Sequence, residues 1–174
     1  VEALLSGMEE MREHVFGGLT AYAGKLFGKE AVVCKSGVGK VYAAMTTQWL
    51  IQDYSPQVVL FTGVAGALNP DYEVGDIVLA KDCVQYDMDA RGLGFPIGTI
   101  PYTELRYFRS DDHLLELAAA SATEQRLHIG RILTGDRFVA HEAALQLHEL
   151  KQELGGDAVE MEGGSVAHVC TVHR

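Results

Sequence analysis

Ile129-Gly130-Arg131-Ile132-Leu133-Thr134 is an apolar run that ends in Gly135-Asp136. Helix-forming residues follow over 140–154 and stop at Gly155-Gly156; Ala158-Val159-Glu160-Met161 then resumes strand chemistry, and 164–172 reads as another helix. Strands alternating with helices specify an α/β fold built on a sheet with parallel strands. The same alternation extends toward the amino terminus. Gln57-Val58-Val59-Leu60-Phe61-Thr62 is a continuous apolar run of the kind that a strand covered on both faces requires. Before it, 41–53 reads as a helix with Ala43, Ala44, Met45, Trp49 and Leu50 available to a core, stopped by Pro56. After it, 74–84 has strand chemistry with a bend at Gly75-Asp76, and Ser110-Asp111-Asp112 caps a helix over 113–125. Segments 21–27 and 31–34 flank a turn and read as a hairpin. Ala3-Leu4-Leu5 reads as a short buried strand ahead of Ser6-Gly7. Residues 87–108 are rich in Gly, Pro and aromatics, a long irregular segment of the kind that serves a site or an interface.

Composition bounds the function. The 174 residues are 48% hydrophobic and carry a net charge of −10, which excludes disorder and argues against a nucleic-acid partner, because an acidic surface repels phosphate. The length suits a single domain over 1–174 with a core that needs no disulfide or metal. No apolar run reaches the ~18 residues of a membrane span, and the sequence shows no charged n-region followed by an apolar h-region, so a cytoplasmic protein without a membrane partner is expected. Cys34, Cys83 and Cys170 are odd in number and lie in apolar stretches, which reads as reduced buried thiols. The seven His show no ligand spacing, and Asp87 and Asp89 read as loop caps, so no metal is expected. The chain opens on Val1 rather than Met, and the natural sequence is expected to extend beyond it.

Four segments have the residue types of a ligand site. Met8-Glu9-Glu10-Met11 follows the first expected strand; a carboxylate there serves as a general base, or simply as a solvated acidic helical turn. Ser36-Gly37-Val38-Gly39-Lys40 is a Gly-rich turn before a helix but completes neither a Walker A loop nor a GxGxxG fingerprint. Thr62-Gly63-Val64-Ala65-Gly66 presents small residues that let a ligand reach the backbone. In Val159-Glu160-Met161-Glu162-Gly163-Gly164, strand alternation points Glu160 and Glu162 the same way, and a pair of sugar hydroxyls would supply the donors such carboxylates need. Solvation at a strand end is the competing reading. Gly135-Asp136-Arg137-Phe138-Val139 adds an aromatic that either stacks on a flat base or joins the core.

Taken in order, these motifs resemble the nucleoside phosphorylase superfamily, and within it the methylthioadenosine/S-adenosylhomocysteine nucleosidases. The matching segments are Gly7-Met8-Glu9-Glu10, Lys35-Ser36-Gly37-Val38-Gly39-Lys40, Thr62-Gly63-Val64-Ala65-Gly66-Ala67, Val74-Gly75-Asp76-Ile77-Val78, Thr134-Gly135-Asp136-Arg137-Phe138, and Ala158-Val159-Glu160-Met161-Glu162 with Ala167-His168-Val169-Cys170. The resemblance implies a three-layer α/β/α sandwich with a mixed twisted central sheet. It implies a homodimer in which Ala90, Leu93 and Pro101 reach the neighbouring pocket. It implies that Glu162 binds the ribose hydroxyls beside Glu160 and Met161, that Phe138 and Val139 surround the adenine, and that Met8, Val38, Val64, Ala65 and Gly66 line the rest.

The implied chemistry is hydrolysis of the N-glycosidic bond of methylthioadenosine or S-adenosylhomocysteine, without a cofactor. Met11 occupies the position matching the family's base, so Glu10 is the expected substitute. The acid expected in a Ser-Asp pair would lie beyond Arg174. Phe61 stands where the phosphorylases of the superfamily carry a phosphate-binding Arg, which favours water over phosphate as nucleophile. A catalytically impaired nucleoside-binding relative and a purine nucleoside phosphorylase are the competing readings.

Overall fold

The computed structural model describes residues 1–121, 125–139 and 151–173, and the chain forms two compact units, Val1–Gly37 and Val38–Arg174. The first unit holds α1 (Glu2–Leu5) and an antiparallel meander of β1 (Met8–Phe16), β2 (Leu19–Leu26) and β3 (Lys29–Cys34). Both of its turns are two-residue hairpins whose central residues have positive φ, Gly17-Gly18 at 57° and 81° and Phe27-Gly28 at 50° and 75°. That backbone matches the right-handed twist of the strands it joins. The expected 21–27/31–34 hairpin is therefore present as β2 and β3.

The expected strand at Ala3-Leu4-Leu5 is corrected: these residues are helical. Glu, Ala and Leu are good helix formers, the Ser6 hydroxyl donates to the Ala3 carbonyl at 2.9 Å, and no strand pairs with them. Met8–Glu10 accordingly lies inside an antiparallel ribbon rather than after a parallel strand. A bulge between Glu9 and Arg12 seats this part of β1 directly on Gly24, where a Cβ would stand 2.6 Å from the Glu9 carbonyl oxygen.

The second unit runs α2 (Lys40–Tyr54), β4 (Gly66–Ala67), β5 (Ile77–Gln85), a 3₁₀ turn at Arg91–Leu93, β6 (Phe108–Arg109), α3 (Asp112–Ser121), β7 (Leu127–Thr134), β8 (Ala158–Glu160) and α4 (Gly163–Val172). Its five-stranded sheet has the order β4-β8-β7-β5-β6. The inner three strands are parallel and both edges antiparallel. This is the mixed sheet of an α/β fold. Strand alternation sorts its side chains onto two faces. Val84, Leu133 and Val159 meet Tyr86, Ile97 and Leu154 on one face. Cys83, Ile132 and Ala158 meet Ala167 of α4 on the other, and α4 also packs along α2.

The expected helix over 140–154 falls largely on 140–150, outside the described residues; 151–154 is helical and ends at Gly155, with φ +66°. The expected strand at 57–62 is a second correction. That segment forms no strand, and Val58 and Leu60 are 48% and 79% exposed. No strand of either sheet pairs with that segment among the described residues, so its apolar composition is not matched by a ladder. Among the described residues no helix is long and apolar enough to cross a membrane.

Candidate active site

The site grows from the ends of the three parallel strands. Gln85, Thr134 and Glu160 are partners in register across β5, β7 and β8, at the carboxyl edge where open α/β sheets bind ligands. All three share the face covered by α4. The Glu160 carboxylate turns back onto the start of that helix. Its Oε2 accepts the backbone N–H groups of Glu162 at 2.7 Å and Gly163 at 2.6 Å, and its Oε1 accepts the Thr134 hydroxyl. Thr134 Oγ1 in turn accepts the Gly164 N–H at 2.7 Å. The helix's first donors, which no intrahelical acceptor reaches, are thus satisfied by two strand-end side chains, and a carboxylate sits at the positive end of the dipole.

Glycine at 164 is required by this closeness: a Cβ there would stand 2.8 Å from Thr134 Oγ1. The expectation that Glu160 and Glu162 point alike held only for a strand continuing through 162. The strand ends at Glu160, the chain bends at Met161, and the two carboxylates diverge.

Glu162 caps the front of α4 with its backbone carbonyl and projects its side chain to the Gly-rich turn. Its Oε1 accepts the Gly39 N–H at 2.6 Å. Gly39 has φ +88°, a conformation that L side chains rarely adopt, and it begins α2 without a side chain of its own to cap that helix. The next N–H, of Lys40, goes to Asp136 Oδ1 at 2.7 Å. Lys40 Nζ pairs with Asp87 Oδ1 at 2.7 Å, and Asp87 Oδ2 accepts the Asp136 N–H at 2.9 Å. Lys40 also reaches Gln85 Oε1 at 3.4 Å, and the other end of the Gln85 amide donates to His168 Nδ1 at 3.1 Å. His168 stacks on Phe108 at 4.6 Å, and burial holds its pKa below the ordinary imidazole value. Burial thus favours the neutral ring, whose Nδ1 accepts from Gln85.

Lys40, Gln85, Thr134 and His168 carry this arrangement; Lys40, Thr134 and His168 fall inside the quoted motifs without a role assigned to them, and nothing marked Gln85. Asp87 and Asp136 each stand two residues beyond a strand end, the signal that places them at this edge.

Of the expected lining residues, Phe138 is 80% exposed on the loop after β7, and Val139 is half-buried against the core. Met161 is half-buried. Val38 lies at the start of the Gly-rich turn, 72% exposed. Gly66 pairs with Val159, which puts Ala65 level with Glu160, and Val64 beyond it is 94% exposed. These residues converge on one edge of the sheet. Ala90, Leu93 and Pro101 lie in the segment around the 3₁₀ turn, with Leu93 66% exposed. Met8 and Glu10 belong to the first unit. There Glu10 has φ +53°, ion-pairs with Lys25 at 2.8 Å and leaves its side chain 68% exposed.

Known proteins resemble this chain in sequence and in fold. The family model for the phosphorylase superfamily matches residues 2–174. The aminodeoxyfutalosine nucleosidase of Campylobacter jejuni is 36% identical over 172 residues, 98% of this chain and 74% of that protein. The 5′-methylthioadenosine/S-adenosylhomocysteine nucleosidase of Geobacillus thermodenitrificans is 39% identical over 174 residues, 98% of this chain and 72% of that protein. Among solved structures, the 5′-methylthioadenosine/S-adenosylhomocysteine nucleosidase from Neisseria meningitidis in complex with methylthio-immucillin-A superposes with a TM-score of 0.91 at 35% identity. The match covers 99% of this chain and 75% of that one.

Proposed function

The chain belongs to the phosphorylase superfamily, in the branch of the 5′-methylthioadenosine/S-adenosylhomocysteine nucleosidases, and from that premise we propose that it hydrolyses the N-glycosidic bond of a 5′-thioether adenine nucleoside to release adenine. The observation that carries this reading is the Glu162 carboxylate. It stands at the carboxyl edge of the sheet with Oε1 held by the Gly39 N–H, while the oxygens of Glu160 are committed to the start of α4 (Oε2) and to the Thr134 hydroxyl (Oε1). Oε2 of Glu162 is then the oxygen offered to the vicinal hydroxyls of a ribose.

The bond breaks with its electron pair leaving on the adenine, water oxygen bonds to the sugar carbon, and the proton that the water gives up is balanced by the one the adenine nitrogen takes. Positive charge develops on the ring as this happens. A carboxylate gripping the diol tightens on the charged sugar more than on the neutral one, and that difference accelerates the step. Phe138 supplies an exposed aromatic face for the base, Val139 anchors its loop to the core, and Met161 packs beside the sugar. Val38, Val64, Ala65 and Gly66 leave room for the backbone to approach. Glu160 acts in this reading by positioning Glu162 rather than by touching the sugar.

Hydrolysis rather than phosphorolysis is supported by Phe61, an apolar side chain where a phosphate-binding Arg is expected in the phosphorylases. A homodimer joined through the segment carrying Ala90, Leu93 and Pro101 belongs to the same proposal, supported by the exposure of Leu93, as does a cytoplasmic setting, supported by three cysteines that form no disulfide. Light scattering tests the former.

Adenine release from 5′-methylthioadenosine at a rate unchanged by added phosphate is the expected result; no release at high enzyme concentration refutes the proposal. Glu162→Gln removes the charge from the diol contact and should lower kcat/KM by about ten- to hundredfold, the worth of one charge-assisted hydrogen bond. Glu10→Gln tests the base role: full activity withdraws it. The identity to the Campylobacter jejuni protein makes aminodeoxyfutalosine the second substrate to assay.

A further inference from the structure

The start of α2 is capped from outside itself. A helix begins with backbone N–H groups that need acceptors, and a side chain at its first residue usually supplies one. Gly39 has none, and its N–H and that of Lys40 go instead to two carboxylates from distant segments, Glu162 at 2.6 Å and Asp136 at 2.7 Å. One of these is the group that grips the sugar in the proposed reaction, and the other sits on the loop after β7.

The loop contact closes into a ring. The Lys40 backbone donates to the Asp136 side chain, the Asp136 backbone donates to the Asp87 side chain at 2.9 Å, and Asp87 takes the Lys40 ammonium at 2.7 Å. Lys40 donates twice, Asp87 accepts twice, and Asp136 does one of each. Lys40 and Asp87 are only 18% and 30% exposed at their side chains, so the pair is sheltered enough to hold one geometry.

We propose that Lys40, Asp87 and Asp136 are positioning residues that fix the Gly39 N–H against Glu162 and so determine how well the enzyme recognises the ribose diol. This rests on the assignment of Glu162 to the diol. Gly39 and Lys40 are consecutive, so a ring that locks the Lys40 N–H also sets where the Gly39 N–H points. Lys40 fixes the start of α2 to the end of β5 through Asp87. Asp136 fixes it to the end of β7. Glu162, at the end of β8, is then held at a defined height above the other two strand ends. Without the ring, Glu162 keeps its charge but loses its fixed direction.

The test compares kcat/KM for 5′-methylthioadenosine with that for its 3′-deoxy analogue, in the wild type, Asp136→Ala, Asp136→Asn and Lys40→Met. Asparagine keeps an oxygen for the Lys40 N–H, whereas alanine does not. The preference for the intact diol should fall by about ten- to hundredfold in Asp136→Ala, the value of a lost charge-assisted contact, and stay within about threefold of wild type in Asp136→Asn. Lys40→Met opens the ring from its other side and should lower the preference in the same sense. Equal losses on both substrates, or none, overturn the positioning role, because a merely structural ring gives no selective effect on the diol. A wild-type enzyme that does not prefer the intact diol overturns the Glu162 assignment itself, and the role of the ring falls with it.

Discussion

Replacing Glu160 with alanine removes the acceptor for three donors in one step: the N–H groups of Glu162 and Gly163 at 2.7 and 2.6 Å, and the Thr134 hydroxyl. A hydrogen bond to a charged group contributes ~1.5–3 kcal/mol, and a half-buried site lets water recover part of it, so two such bonds at the lower value give a loss of about 3 kcal/mol. For a chain of this length each kcal/mol lowers Tm by roughly 2–4 °C, so the expected fall is about 6–12 °C. Glutamine in the same place keeps a carbonyl oxygen for the two backbone groups and offers its amide to Thr134 Oγ1. It should cost about 1 kcal/mol. Calorimetry on both variants, with kcat/KM measured well below the melting range, separates the two effects. Alanine should lose activity beyond what its unfolded fraction explains, because Glu162 begins the helix that Glu160 anchors. An alanine variant melting within about 2 °C of the wild type refutes the anchor and, with it, the division of labour between the two carboxylates.

Gly39→Ala places a Cβ 3.0 Å from Asp136 Oδ1 at φ +88° and should cost about 1–3 kcal/mol in urea unfolding, whereas Gly92→Ala, with no atom within 4 Å of its Cβ, should be neutral; equal effects refute the assigned strain. Cys83 is pushed to about 12 by burial, from 9.0 for an exposed thiol. Its contribution to stability is complete below pH 9.0 and is lost between 9.0 and about 12, because only the unfolded chain ionises there. The stability difference between wild type and Cys83→Ala should therefore shrink from about pH 8 to about pH 10.5 in urea titrations, and a constant difference refutes the reading.

The β-α order at 129–172, the β2–β3 hairpin and the α2 helix were legible because each depends on local signals: apolar periodicity, Gly at turns, Pro as a stop. Glu162 and Phe138 were legible as candidates because strand ends in α/β folds face one edge. Two strands were misread. Ala3-Leu4-Leu5 is apolar but helix-forming, and with no neighbouring strand its own hydrogen bonds decide. The apolar run at 57–62 has the composition of a buried strand, but a strand exists only where a neighbour pairs with it, and composition does not supply the neighbour.

What the sequence determined by itself is the elements with strong local signals and the chemistry available at their ends, since propensity and charge are properties of residues close along the chain. Only the tertiary structure decided that Glu160 serves the helix while Glu162 faces outward, and that Lys40, Asp87 and Asp136 close a ring across 96 positions of chain between Lys40 and Asp136. Hydrogen bonds are short-ranged and directional, so which donor meets which carboxylate is settled only when the strands stand in register and bring those groups within 3 Å.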